Sequence, residues 1–195
     1  MALRLDGRHY GELYDYWGGL RDLKRGLVRV LHSLSFVDDP TRMMRAVRFE
    51  QRFGFAIEER TLQLIDEARP LVRQVSGDRL RHELCLTFSE ERVRAMLGRL
   101  QALDLLSAIH PGLRWQGSFW PAFERALLER IDPLWELPGK IGSLGIRQAL
   151  AFLAWLSHFS PEDAISIAQR LRLPGEIQDT LKAARRLLDD LPALV

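Results

Sequence analysis

Over most of its length this chain places apolar residues at helical spacing between polar ones. From Pro40 to Phe53, residues Met43, Met44 and Val47 share one side of a helix at about 100° per residue, with Phe49 at the seam. Asp39 and Pro40 mark its start and Gly54 its stop. Similar periods predict helices at Glu58 to Ala68, stopped by Pro70, and at Asp78 to Phe88, capped by Ser76. Ser89 is expected to cap the next, Glu90 to Leu103. Further helices are predicted at Trp120 to Ile131, Ile146 to His158, Pro161 to Leu171 and Gly175 to Leu191, with Ser160 and Asp163 forming a capping-box-like start. Sheet signals are confined to the N-terminus. Leu3 to Leu5 and His9 to Tyr16 flank Asp6-Gly7, a hairpin turn, and a short strand is expected at Leu27 to Leu31. The predicted fold is all-α with a small N-terminal β-hairpin. Pro- and Gly-rich loops at His110 to Ser118 and Leu137 to Gly142 separate helix groups.

Composition narrows the class. The 195 residues suffice for one or two buried cores. No apolar run is long enough to span a bilayer. Cys85 is the single cysteine, so no internal disulfide forms; this fits a reducing compartment, the cytoplasm, and HELCLTF reads as a buried helical setting. His9, His32, His82, His110 and His158 are scattered, and HELCL does not complete a zinc-binding helix, so no metal site is expected. Neither a Gly-x-Ser-x-Gly elbow nor a Gly-rich phosphate loop supports an independent hydrolase or P-loop enzyme. Core is the expected place for Trp115, Trp120, Trp135 and above all Trp155, and a solvated face for Lys182, Arg185 and Arg186. Net charge is only +2, yet 25 arginines stand against 3 lysines. Arginine's planar fork suits phosphates and base edges, although a genome-wide bias gives the same ratio.

The arginines of the first long helix carry the sharpest signal. Arg42, Arg45, Arg48 and Arg52 fall within an arc of about 120°, with no acid on that face. Such a face is either solvated or built to meet an anion. Asp39, three residues before Arg42, adds an acceptor beside a donor. That order complements the edges of adenine and cytosine and opposes those of guanine and uracil. The same Asp39 is equally well explained as an N-cap with Pro40 at the first helical position. Arg79 and Glu83, four apart, read as a helix salt bridge.

The motif DDPTRMMRAVRF resembles the base-selecting segment of class II nucleotidyltransferases, the bacterial tRNA CCA-adding and A-adding enzymes and poly(A) polymerases. The family pattern Glu-Asp-x-x-Arg-x-x-Arg-x-x-Arg-Phe is met at Asp39, Arg42, Arg45, Arg48 and Phe49, with Asp38 in place of the leading Glu. LYDYWGGLRDL is similar to the family's Asp-x-x-x-Gly-x-x-Asp-Leu segment at Asp15, Gly19, Asp22 and Leu23. SGDRLRHEL resembles its Arg-x-x-x-Glu-Leu helix at Arg79, Glu83 and Leu84.

The resemblance implies a division into a head–neck junction (1–31), a nucleotide-selecting neck (32–88) and an RNA-binding helical body (89–195). It implies nucleotide contacts at Asp39, Arg42, Arg45 and Arg48, with Asp15, Gly19, Asp22, Arg79 and Glu83 in support. ATP and CTP are the implied substrates. Mg²⁺ is expected only with the family's catalytic head, whose paired aspartates and Arg-Arg-Asp-Phe-Thr-x-Asn segment have no counterpart here. The chain is therefore expected to be inactive alone. Implied partners are a nucleoside triphosphate, a tRNA or other RNA 3′ end, a catalytic head, and a second copy of the chain through the exposed hairpin; no membrane is implied. The rival expectation is a non-catalytic RNA-binding or assembly module on the same scaffold.

Overall fold

The computed structural model describes residues 2–128 and 130–190. It is mainly helical with only short strand pieces, as the hydrophobic spacing predicts. At the N-terminus β1 (Ala2–Leu3) and β2 (Leu13–Tyr14) pair antiparallel, and helix α1 (Gly19–Arg25) follows. β3 (Leu27–Val28) pairs in parallel with β4 (Ala56–Ile57), so the expected strand to Leu31 is cut short and gains an unforeseen partner. The short α2 (Ser35–Asp38), also unforeseen, leads into α3 (Thr41–Phe53). Then come α4 (Glu59–Ala68), α5 (Gly77–Phe88), α6 (Val93–Ala102) and α7 (Leu105–Ile109).

Beyond them lie α8 (Trp120–Leu128), α9 (Ile146–Leu156), α10 (Pro161–Arg170) and α11 (Gly175–Asp190). The loop predicted near Leu137 contains a two-residue hairpin instead, β5 (Lys140–Ile141) with β6 (Leu144–Gly145). Its turn residue Gly142 has φ +55°, and a Cβ there would stand 2.8 Å from Pro174 Cγ, so only glycine fits.

One hydrophobic core runs through the molecule, from Phe36 and Met43 to Ile177 and Leu181. α3 turns Met43, Met44 and Val47 inward and packs on α5 and α6. Phe88 at the end of α5 meets Phe123 and Phe152 at centroid distances of 5.1 and 4.9 Å, both edge to face. Such pairs add about 0.5–1.5 kcal/mol beyond area burial. Trp115 and Trp155 join this cluster as expected, whereas Trp120 is half-buried. The side chains of Trp135, Arg185 and Arg186 lie outside the described residues. Cys85 is buried, and burial pushes its thiol up to about 11.

Capping departs from expectation at one helix. Ser89 Oγ donates to the Cys85 carbonyl and finishes α5, so α6 starts only at Val93. Ser160 does cap α10, accepting from the Asp163 amide at 3.1 Å.

Polar clamps join the first helices to the last. Arg170 donates to the carbonyls of Val72, Arg73, Val75 and Ile109 at 3.0–3.2 Å. A Cβ on Gly77 would stand 2.2 Å from the Arg170 carbonyl oxygen, so glycine is required where α5 meets the end of α10. No helix among the described residues is long and apolar enough to cross a membrane.

The N-terminal hairpin stands clear of this core. Leu3, Leu5, Tyr10, Leu13, Tyr14, Tyr16 and Trp17 are all exposed. Ladders of two residues are marginal alone, and their free edges template another strand. We expect light scattering to show concentration-dependent dimers of the intact chain and monomers of a version starting at Gly18. If both are monomers and hydrogen exchange shows residues 2–16 protected, the hairpin has found cover within its own chain.

Candidate functional site

Asp39 sits in extended backbone between α2 and α3, with φ −150°. Its Oδ1 accepts from the Thr41 amide at 3.0 Å and the Thr41 hydroxyl at 2.7 Å. The carboxylate therefore satisfies the first amide of α3, with Pro40 as the residue just before the helix. Arg79, reaching from α5, donates Nη2 to the same oxygen at 2.7 Å. Burial alone would raise the Asp39 pKa, but the Thr41 bonds and Arg79 outweigh it and hold it below the usual 3.8. The charged form thus contributes stability above its ordinary value, and that contribution is lost as pH falls through the depressed one.

The helical pair read from Arg79 and Glu83 does not form. Arg79 goes to Asp39, and Glu83 instead accepts from Arg48 Nη1 at 2.9 Å. Arg48 is only 8% exposed and Glu83 is equally enclosed, so this is a buried ion pair between α3 and α5. Arg52 makes a two-pronged bond to Glu90, which also lies 3.6 Å from Arg48 Nε. The expectation of an arginine face without acids is therefore corrected: Glu83 and Glu90 are brought to it from 35 and 38 residues away. Arg42 and Arg45 remain exposed; Arg42 Nη1 donates to the Ser35 carbonyl at 3.2 Å.

Asp39, Thr41, Arg45, Arg79 and Glu83 line one open pocket of about 320 Å³, together with Asp78 and His82. Arg42 is not among its lining residues, and Arg48 lies behind Glu83. Asp78 and His82 were not singled out by sequence as site residues; only their places beside Arg79 and Glu83 on α5 could have pointed to them. Asp78 bonds Arg172 at 2.8 Å and Arg81 at 2.9 Å, and its pKa is lowered, chiefly by Arg172.

The upstream motif residues do structural work. Asp15 accepts from the amides of Gly19 and Leu20 at 2.8 and 2.7 Å, which lowers its pKa, the Leu20 bond counting most. It caps α1. Asp22 on α1 accepts from Arg29 Nε at 2.8 Å, and Arg29 also donates to the Trp17 carbonyl. Among the described residues no group of three His, Cys, Asp or Glu side chains is placed to hold a metal ion.

The chain is similar to known proteins both in sequence and in fold. Residues 54–116 match the family described as "probable RNA and SrmB-binding site of polymerase A". The chain is 47% identical over 116 residues to the A-adding tRNA nucleotidyltransferase of Geobacter sulfurreducens, covering 58% of this chain and 13% of that protein. A structure of a CCA-adding enzyme with ATP superimposes with a TM-score of 0.76 at 32% identity, over 98% of this chain and 44% of the other. The Thermotoga maritima CCA-adding enzyme complexed with tRNA gives 0.74 at 32% identity, over 98% and 45%. The chain thus spans less than half the length of each. It is similar over nearly its whole length to one part of the tRNA nucleotidyltransferases that add CCA or A.

The buried pair predicts a specific mutant pattern. Glu83→Ala leaves Arg48 buried with only Glu90 nearby and should cost about 3 kcal/mol in urea unfolding. Arg48→Met with Glu83→Leu should cost about 1 kcal/mol or less, because both charges leave together. Equal costs for the two would show that the pair does not govern this packing.

Proposed function

We propose that this chain selects ATP and CTP and holds an RNA 3′ end for a tRNA nucleotidyltransferase, in the addition of C and A, or of A alone. The observation that carries the reading is the state of Asp39. Its Oδ1 is saturated by Thr41 and Arg79, while Oδ2 takes no hydrogen bond from the described residues. A held carboxylate with one free oxygen is a fixed acceptor, and Arg42 follows it on the next turn as a donor. Adenine and cytosine offer the matching edge. Arg45, in the same pocket, suits the triphosphate, where charge-assisted bonds are strong. Arg48 supports the pocket from behind through Glu83.

Similar solved structures support the substrates: CCA-adding enzymes have been captured with ATP, with CTP and with tRNA. In the proposed reaction the RNA 3′ oxygen bonds to the α-phosphorus of the nucleotide, and the bond to the pyrophosphate breaks. Metal chemistry in that step is not assigned to this chain, whose described residues offer no cluster to hold a metal.

Nucleotide titration tests the reading. ATP and CTP should bind more tightly than GTP and UTP, by about 5- to 150-fold if one polar group goes unpaired in the mismatch. Asp39→Ala should erase the preference. Asp39→Asn keeps the cap and so separates loss of selection from loss of the helix start. Equal affinity for all four nucleotides, unchanged by Asp39→Ala, would reduce Asp39 to a cap and favour an RNA-binding module without base selection.

A further inference from the structure

Among the histidines of the described residues, His82 lines the pocket around Asp39 and has no part in the base template. We propose that it is a contact for the phosphates of a bound nucleotide, acting with Arg45 across the pocket. The proposal rests on the nucleotide-selecting reading above and assigns a new residue to the end of the nucleotide that the template does not touch.

Most charge in this pocket is already committed. Three acids line it, and each is met by arginine. Asp39 takes Arg79 at 2.7 Å, and Glu83 takes Arg48 at 2.9 Å from behind the wall. Asp78 takes Arg81 at 2.9 Å and Arg172 at 2.8 Å. Two lining side chains are left over. Arg45 and His82 are exposed, and neither has a hydrogen bond or ion pair with any described residue.

His82 is unpaired for a definite reason. Its acidic neighbours on α5 are Asp78, one turn earlier, and Glu83, the next residue. Residues four apart on a helix are within reach of each other, so Asp78 is the natural partner. Two arginines hold Asp78 instead, and Glu83 turns to Arg48. An imidazole keeps at least one N–H donor whether charged or neutral. His82 therefore presents to the pocket a donor that the fold leaves unused. A histidine alone on a helix surface would carry no such meaning; beside an unpaired arginine and three neutralised carboxylates it does.

The balance of charge gives the ligand its class. The acids are fully matched by the arginines on them, with one arginine in excess at Asp78, and Arg45 adds another. The pocket thus favours an anion despite its carboxylates. Phosphate oxygens accept from guanidinium and imidazole N–H groups alike, and charge-assisted bonds are the strong ones. A run of linked phosphates offers acceptors to Arg45 and His82 at once.

Position agrees. Arg45 follows Asp39 by six residues, about 9 Å at the helical rise. A nucleotide carries base and phosphates at opposite ends with the ribose between. A base at Asp39 can therefore extend its phosphates to Arg45, and His82 lines the same pocket from α5.

Phosphates are common to all nucleotides, whereas the base edge is not, and this separates the two roles in an experiment. The chain is titrated calorimetrically with ATP, CTP, GTP and UTP, with adenosine, and with inorganic tripolyphosphate. His82→Ala should weaken all four nucleotides and tripolyphosphate by one common factor of about 5-fold or more. The ratio of ATP to GTP affinity should hold, and adenosine should stay within about 2-fold. His82→Arg, which restores a donor, should return ATP to within about 3-fold of the native value. Arg60→Gln, which breaks an exposed pair with Glu67, is the control and should change nothing. If the native chain prefers ATP and CTP and His82→Ala binds every ligand as the native chain does, the contact is wrong and base selection stands. A loss confined to ATP and CTP, or an equal loss of adenosine, would also overturn it, since His82 would then serve the base or the pocket's shape. Weakened binding of an RNA oligonucleotide with the nucleotides unaffected would assign His82 to RNA and overturn it too. If the native chain binds no nucleotide, the selecting reading falls and this contact falls with it.

Discussion

The buried pair of Arg48 and Glu83 is the constraint on which the site depends. It ties the middle of α3 to α5 at 2.9 Å, and on the opposite flank Glu50 ties α3 to α6 by accepting from Arg99 Nε at 2.9 Å and Nη2 at 3.2 Å. Each pair gives up hydration, so neither is a cheap source of stability against an apolar alternative. Arg48 Nε even lacks a hydrogen-bond partner among the described residues. What the pairs supply is direction. An apolar α3 could rotate on its neighbours, whereas two ion pairs on different flanks fix both its rotation and its register. Once α3 is fixed, Asp39 at its start comes within reach of Arg79 on α5.

This dependence explains what could and could not be read along the chain. Helices such as Thr41–Phe53 and Ile146–Leu156 follow from local spacing, and the structure returns them within a residue or two of expectation. The two-residue strands β4, β5 and β6 leave no periodic trace because two positions cannot show a period. The charged residues failed differently. Their types and helix faces were legible, but their partners were not. Spacing alone pairs Arg79 with Glu83, a contact worth a few tenths of a kcal/mol on an isolated helix. Tertiary packing offers each a better partner, Asp39 for one and Arg48 for the other. Four arginines that look alike in sequence become two that brace and two that face solvent.

The same exchange links pocket and body. Asp78, in the pocket wall, is held by Arg172, whose backbone has a left-handed φ of +49° just past α10. That conformation is uncommon for a side chain larger than glycine and persists where neighbours over-determine it. Here the neighbours are explicit: Gly77 against the Arg170 carbonyl, Arg81 on the carbonyls of Leu171 and Arg172, and Asp78 on the Arg172 guanidinium. The turn between α10 and α11 is thus part of the frame of the pocket around Asp39, although 90 or more residues separate them in sequence.

A fixed α3 also bears on how base selection can work at all. An Asp–Arg template discriminates only if its donor and acceptor keep their positions when the wrong base arrives; a mobile carboxylate would turn and satisfy guanine as well as adenine. Thr41 and Arg79 hold Asp39 by one oxygen and so forbid that rotation, and the ion pairs beneath forbid the helix from following. In the proposed selection, the penalty for a mismatch, about 1–3 kcal/mol for a polar group left unpaired, would then apply in full and not be relaxed away. Rigidity built from buried charge, costly for folding, is what the proposed two-residue template would need in order to be selective.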